Sequence, residues 1–432
     1  MKKIKLFYII LFLLCVFAHA HKVSAEETLT WQDCLAEAKE NHPDLISAVE
    51  KVNQQKASKA ITVSGLYPQI DGNIDASTKK TSTTSATTGK TTSATTHTYS
   101  YGIAGSQLIF DGLKTINDVK AASENIEAAQ QNYRFTSSEV RLNLRNAFIN
   151  LLKAQDLINV AGEIAKIRRD SLELITLRYL SGLEHKGALL TAEANLAEAN
   201  FELAQARRDV EASQRQLTKE IGRREFKPMG IKGDFTVRDS AKEKPDFEVL
   251  AKNNPSLLQA TAKKNAAAFD IKSAYADFSP QISGTAGADK SSSHWPPQND
   301  QWNAGLSLTM PVFEGGLRLA QVSQAQAAYN QAEADERSTK DSVIVNLEQS
   351  WVALQDAIET VEVQQKSLNA AEERSRIAEA QYSTGFVTFD NWIIIENDLV
   401  KAKKAYLEAQ ANALLAEASW VKAKGETLEY AE

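Results

Sequence analysis

Two stretches of this chain contain no proline, residues 69–227 and 312–432. Proline breaks a helix interior, because it lacks the amide hydrogen and its ring strikes the carbonyl four residues back. Its absence over such spans permits very long helices. The apolar residues carry the matching period: Ile344, Leu347, Trp351, Leu354, Ile358 and Val361 step by three and four, a heptad seam. The prolines that do occur, at 43, 68, 228, 245, 255, 280, 296, 297 and 311, gather at the borders of these stretches.

The pattern occurs twice. LYPQIDG (66–72) is echoed by FSPQISG (278–284), 212 residues later. Further on the offset is 203: Leu144, Phe148, Leu151 and Ile158 fall on Leu347, Trp351, Leu354 and Val361. Tyr179 and Gly182 fall on Tyr382 and Gly385, and Glu193 and Leu196 on Glu396 and Leu399. The chain is therefore an internal duplication, with a longer insertion in the first copy. Each copy reads as a helix (31–64 or 244–277), two short strands, a long helix (114–177 or 317–379), a tight turn at Gly182 or Gly385, and a returning helix (188–222 or 390–424). Thr30 and Asp33 form the pattern of a capping box for the first helix. The long helix would run roughly 95 Å. The two shorter helices of a copy, stacked end to end, nearly match it. The resulting division is a signal segment 1–25, a first repeat 26–222 with a hairpin over 66–111, a mid-height linker 223–243, a second repeat 244–424 with a hairpin over 280–313, and a tail 425–432.

The strands carry the most information. In 302–310, WNAGLSLTM, apolar Trp302, Ala304, Leu306, Leu308 and Met310 alternate with Asn303, Gly305, Ser307 and Thr309. Residues 69–76 alternate likewise; 99–110 and 281–288 do so more weakly. Aromatic residues gather at both hairpin ends, Tyr67, Phe110, Phe278 and Phe313 at one and Tyr99, Tyr101 and Trp302 at the other. This is the pattern of outer-membrane barrel strands with aromatic girdles. Ordinary hairpins packed on the helices would instead need a protein core over the apolar face. Four strands cannot close a barrel and lipid tolerates no open edge, so strands in a membrane require several chains to share one barrel; three would supply twelve strands. Residues 78–98, TKKTSTTSATTGKTTSATTHT, hold no acid and no large apolar side chain, and are expected to form a mobile outward loop, with 289–301 as its counterpart.

Lys2, Lys3 and Lys5, the apolar run 6–18 and Val23-Ser24-Ala25 read as a secretory signal. Cys15 follows the bulky Leu14, against lipidation. Without residues 1–25 the chain keeps 45 basic and 55 acidic residues, a net charge of −10, which speaks against nucleic-acid binding. Cys34 is then the single cysteine. The six histidines (19, 21, 42, 97, 185 and 294) show no metal-ligand spacing, and there is no phosphate loop or nucleophile elbow. Neither an enzyme nor a cofactor is expected. The rival of a different class is a soluble periplasmic coiled-coil scaffold.

At this point the chain resembles the TolC-like outer-membrane efflux proteins over nearly all of 29–424. The carriers are LTWQDCLAEAKENHPDL (29–45) with KNNPSL (252–257), the LYPQIDG and FSPQISG pair, LIFDGLK (108–114) with MPVFEGGLR (310–318), and the Tyr-x-x-Gly tips at 179–182 and 382–385. The resemblance implies a mainly α protein with a small β part: a homotrimer whose twelve-strand β-barrel in the outer membrane continues into a periplasmic α-helical barrel. It implies a passive exit duct, fed by an inner-membrane pump of RND, MFS or ABC type through a periplasmic adaptor. Small-molecule efflux and type I protein secretion are both open, the former being commoner. By the same resemblance the adaptor contacts lie at Tyr179, Gly182, Leu183, Tyr382, Gly385 and Phe386. Many relatives narrow the pore with acids just beyond the second tip. Here Asp390 stands one position early, Asn391 occupies the usual acid's place, and Ile394 replaces a second acid. Asp390 forms either a ring of carboxylates or a cap on the returning helix.

Overall fold

The computed structural model describes residues 27–237 and 243–429. The signal segment, Cys15, part of the linker and the last three residues lie outside them. Strand β1 (Glu27–Leu29) leads into helices α1 (Trp31–Asn41) and α2 (Pro43–Ser64), then strands β2 (Gln69–Thr84) and β3 (Thr91–Phe110). Helix α3 (Lys114–Leu180) and helix α4 (Lys186–Ile221) complete the first copy. After β4 (Met229–Ile231) the order repeats: α5 (Phe247–Ala251), α6 (Pro255–Ala276), β5 (Gln281–Ser292), β6 (Asn299–Thr309), α7 (Leu317–Ser383) and α8 (Phe389–Ala423).

The long helices α3 and α7 are both 67 residues, about 100 Å each. The single helices expected over 31–64 and 244–277 are each broken. At the first break Pro43 opens α2, and the buried His42 side chain accepts from the Asp44 amide through Nδ1 at 3.2 Å. At the second, Pro255 opens α6 and Asn254 Oδ1 accepts from the Ser256 amide at 2.9 Å. A helix cannot run smoothly through either proline, so each one restarts it with a fresh cap. The capping box at Thr30 and Asp33 is present, with both side chains accepting reciprocally.

A second correction concerns the low-complexity segment. Residues 78–98 are not a loop but mostly strand, paired in register from Thr78↔His97 to Thr84↔Thr91 around a short turn. A backbone ladder needs no buried side chain, and threonine suits a pleated strand. The same holds in part for 289–301, where Asp289–Ser291 pair with Asn299–Gln301.

Around the middle of α3 the chain draws its distant parts together. Leu29, Trp31, Cys34 and Leu35 meet Leu217, Ile221, Met229, Ile231 and Leu428 over Leu144, Phe148 and Leu151. Strands β1 and β4 pair there in parallel, and Arg223 clamps Glu27 and Glu37 with charge-assisted bonds of 2.6–3.0 Å. The second copy has its own cluster around Phe247, Leu347, Leu354 and Trp420.

Candidate functional site

Two regions lie at opposite ends of the long helices. At one end the strands form a four-stranded sheet in the order β2-β3-β5-β6. Directly opposed residues share a face, so the register fixes both faces. One row joins Gly72, Ile103, Ala288 and Trp302, and another joins Ile70, Gly105, Ala286 and Ala304. The opposite face carries rows such as Asn73, Gly102, Asp289, Gln301 and Asp71, Ala104, Gly287, Asn303. One face is thus mainly apolar and the other polar; the apolar one is broken where the row Ile74, Tyr101, Lys290 and Asp300 ends in an ion pair on β5 and β6, and β2 and β6 have open outer edges. A bulge between Leu108 and Phe110 puts Phe110 opposite Ile282, on the apolar face.

Most of the apolar face has no protein over it: Trp302 is 82% exposed, Leu306 78% and Ile74 77%. Tyr99, Tyr101 and Trp302 lie on this face, far from the helices. Tyr67, Phe278 and Phe313 flank the strands at the helical end. Sequence reasoning missed Trp295, whose ring meets Tyr101 at 6.3 Å and Tyr99 at 6.5 Å, edge to face. Its signal was an aromatic beside two prolines in a hairpin turn.

The joints to the helices follow from glycine. Gly112 has φ +70°, and a Cβ there would collide with the Ser279 side chain and the Ala276 carbonyl. Leu113 follows, also left-handed, where the second copy has Gly316 after Gly315. Among the described residues no helix is long and apolar enough to cross a membrane.

At the other end sit the two tips. Each is a helix end closed by a left-handed glycine, Gly182 at φ +75° and Gly385 at +84°. In each, the residue after the glycine donates to the carbonyl five back (Leu183 to Arg178 at 2.8 Å, Phe386 to Gln381 at 2.9 Å), and the glycine donates to Tyr179 or Tyr382. This paired closure is what a Tyr-x-x-Gly spacing provides. Leu183 and Phe386 point outward, Phe386 at 85% exposure. Leu180, at 75%, joins them; sequence reasoning had not singled it out. Tyr179 is half-buried.

Tyr382 is placed differently from the expected surface contact, since its side chain is buried. Its ring stacks on Trp392 at 4.3 Å and carries the Arg178 guanidinium 4.7 Å from its centroid. Its hydroxyl donates to Glu184 at 2.8 Å. Burial and the Glu184 carboxylate push this hydroxyl above its ordinary pKa. Tyr382 thus ties the second tip to the first from within.

Asp390 is exposed in the first turn of α8. The cap there is Thr388, whose hydroxyl accepts from Asn391 N at 3.5 Å, so Asp390 does not fill that role. Asn391 is also exposed. Behind the tips, and unforeseen from sequence, Arg168 donates to Glu396 at 2.6 Å and to Asn397 at 2.5 Å, while Ser171 donates to Glu396 at 2.9 Å. Burial raises the Glu396 pKa, outweighing Arg168 and Ser171.

Comparison with known proteins supports the same architecture. The family model "Outer membrane efflux protein" matches residues 34–223 and 248–426. The outer membrane efflux protein BepC of Brucella suis biovar 1 (strain 1330) is 23% identical over 94% of this chain and 86% of its own. The outer membrane protein TolC of Escherichia coli (strain K12) is 23% identical over 88% and 77%. A crystal structure of CusC superposes with a TM-score of 0.81 at 20% identity, covering 93% of this chain and 95% of that one.

Proposed function

Because this chain belongs to the outer membrane efflux protein family, we propose that it is the outer-membrane exit duct of a three-part export system. It would pass small toxic molecules passively from an inner-membrane pump, through a periplasmic adaptor, to the outside. The family sets the chain in the outer membrane with its helices in the periplasm.

The observation that carries the proposal is the sheet. It has one bare apolar face, one polar face and two open edges. Open edges are not tolerated in hydrocarbon, and four strands are too few to close. Three copies, each setting β6 against the next copy's β2, supply twelve strands and leave no edge. The apolar rows would then face lipid, with Tyr67, Phe110, Phe278 and Phe313 at the inner boundary and Tyr99, Tyr101 and Trp302 at the outer. The polar rows would line the lumen. Each copy of the duplication would supply one hairpin and one helical stave. Such a duct does no chemistry and holds no cofactor.

Leu180, Leu183 and Phe386 are exposed apolar side chains on rigid turns, which fits them to dock on an adaptor. Gly182, Gly385 and Tyr382 shape those turns. Photo-crosslinking in cells from position 386 tests this. Capture of a periplasmic adaptor is the expected result, and the pump that travels with it identifies the cargo class. A well-expressed protein that captures none would remove the tip assignment.

Asp390 and Asn391, exposed at the start of α8, are proposed to border the constriction. Three copies would then present a ring of three carboxylates, which acts strongly in a narrow pore. Replacing Asp390 by Asn should lower cation selectivity in single-channel recordings; unchanged selectivity would remove Asp390 from the pore.

A further inference from the structure

The β2–β3 ribbon outruns the sheet. Strand β5 stops pairing with β3 at Tyr99, yet β2 and β3 continue for eight further residue pairs, Ser77↔Thr98 to Thr84↔Thr91. At ~3.4 Å per residue this arm projects roughly 27 Å past the Tyr99 row. Its side chains are all exposed. It carries Lys79, Lys80 and Lys90, with no acid anywhere from Ala76 to Tyr99, in a chain whose net charge is negative. Among the described residues no ion pair involves any of these three lysines. By contrast, Lys290 lower on the sheet is held by Asp300 at 3.0 Å.

The register decides where the charges point. Lys80 shares the face of Ile70, Ile74 and Ala76, the apolar face. It stands four residues beyond Ala76, roughly 13 Å further along the strand. His97, on the same face, bonds to Thr78 at 3.0 Å between the aromatic row and Lys80. Lys80 is thus outward of the aromatic boundary on the lipid side, and its long side chain can reach back toward the headgroup phosphates. Lys79 is on the opposite face and Lys90 at the turn, so the whole arm is cationic.

We infer that this ribbon is a binding arm for the phosphorylated glycolipid of the outer leaflet, with Lys80 meeting its phosphates and Lys79 and Lys90 adding to the attraction. The inference rests on the exit-duct orientation, in which the arm lies outside the cell. Threonine hydroxyls along the arm supply neutral donors and acceptors for sugar and phosphate oxygens. A flexible acid-free loop would serve as a mere spacer; a ladder-paired ribbon instead holds its lysines at fixed heights.

The test uses the full-length oligomer in nanodiscs. Binding of bisphosphorylated lipid A is compared for the wild type and for the triple variant Lys79→Gln, Lys80→Gln, Lys90→Gln. The expected loss is roughly 100-fold at low salt, shrinking as salt rises. Arginine at the three positions should restore binding, and dephosphorylated lipid A should bind the wild type as weakly as the intact glycolipid binds the variant. Equal binding by wild type and variant, indifference to dephosphorylation, or equally tight binding of heparin would overturn the inference. Orientation is checked separately with Thr87→Cys in living cells and a membrane-impermeant maleimide. Cys34 is buried and its thiol is pushed up to about 12, chiefly by that burial, so it stays silent. No surface labelling would defeat the exit-duct orientation itself; labelling with unchanged glycolipid binding would defeat only the binding arm.

Discussion

Glu396 shows how one buried side chain links the two copies. It sits on α8, yet its partners Arg168 and Ser171 belong to α3, more than 220 residues earlier. Burial raises its pKa, so the folded state holds that proton more tightly than the unfolded chain does. The folded state therefore gains less as the proton leaves, and stability attributable to Glu396 falls as pH rises from the ordinary carboxylate value through the raised one. A Glu396→Gln variant should lack this slope. Denaturant midpoints measured from about pH 4 to 7 should show the wild type losing ground to the variant as pH rises; parallel curves would contradict the assignment. Arg168→Met leaves the carboxylate buried without its cation and should cost about 3–5 kcal/mol. No spacing rule in the sequence could have joined these residues, because their contact is made only by packing two distant helices.

At the level of elements the strand-to-helix joints are the sensitive points. Gly112→Ala forces a Cβ into Ser279 and the Ala276 carbonyl at positive φ, and should lower stability by roughly 2–3 kcal/mol. Leu113 is the lone non-glycine residue at positive φ among the described residues, and Leu113→Gly should raise stability by about 1 kcal/mol. Both shifts are readable as the temperature at which the oligomer dissociates on a denaturing gel, and the two variants should move it in opposite directions. What the sequence revealed of the elements follows the same physics. Long proline-free heptads gave α3 and α7, and strict alternation gave β6. The Tyr-x-x-Gly spacing gave both tips, because only a left-handed glycine closes a helix that way. The helix breaks at His42 and Asn254 do carry a sequence signal, Pro43 and Pro255. The Thr-rich ribbon gives no strand signal in the sequence, since a strand exposed on both faces has no apolar alternation to betray it. The spacing marks Tyr382 as a turn residue, but a tyrosine at a turn does not announce which of its faces are covered; here Trp392 and Arg178 cover them.

For the whole molecule, the decisive feature is incompleteness. A lone chain leaves an apolar sheet face bare, two strand edges unpaired and α7 with few buried residues compared with α3, although the two helices are equally long. A scaffold that stayed soluble would have to cover Trp302, Leu306 and Ile74 within its own chain, and it does not. Under the proposed trimer, closing three sheets into one barrel would satisfy the edges, give the apolar rows to lipid, and set three pairs of long helices around one axis beneath it. The most direct measurement is native mass spectrometry of the detergent-extracted protein after the micelle is stripped. A particle of three chains is the expected result. A single chain as the intact extracted species would contradict it, because four strands with two open edges cannot stand alone in the outer membrane.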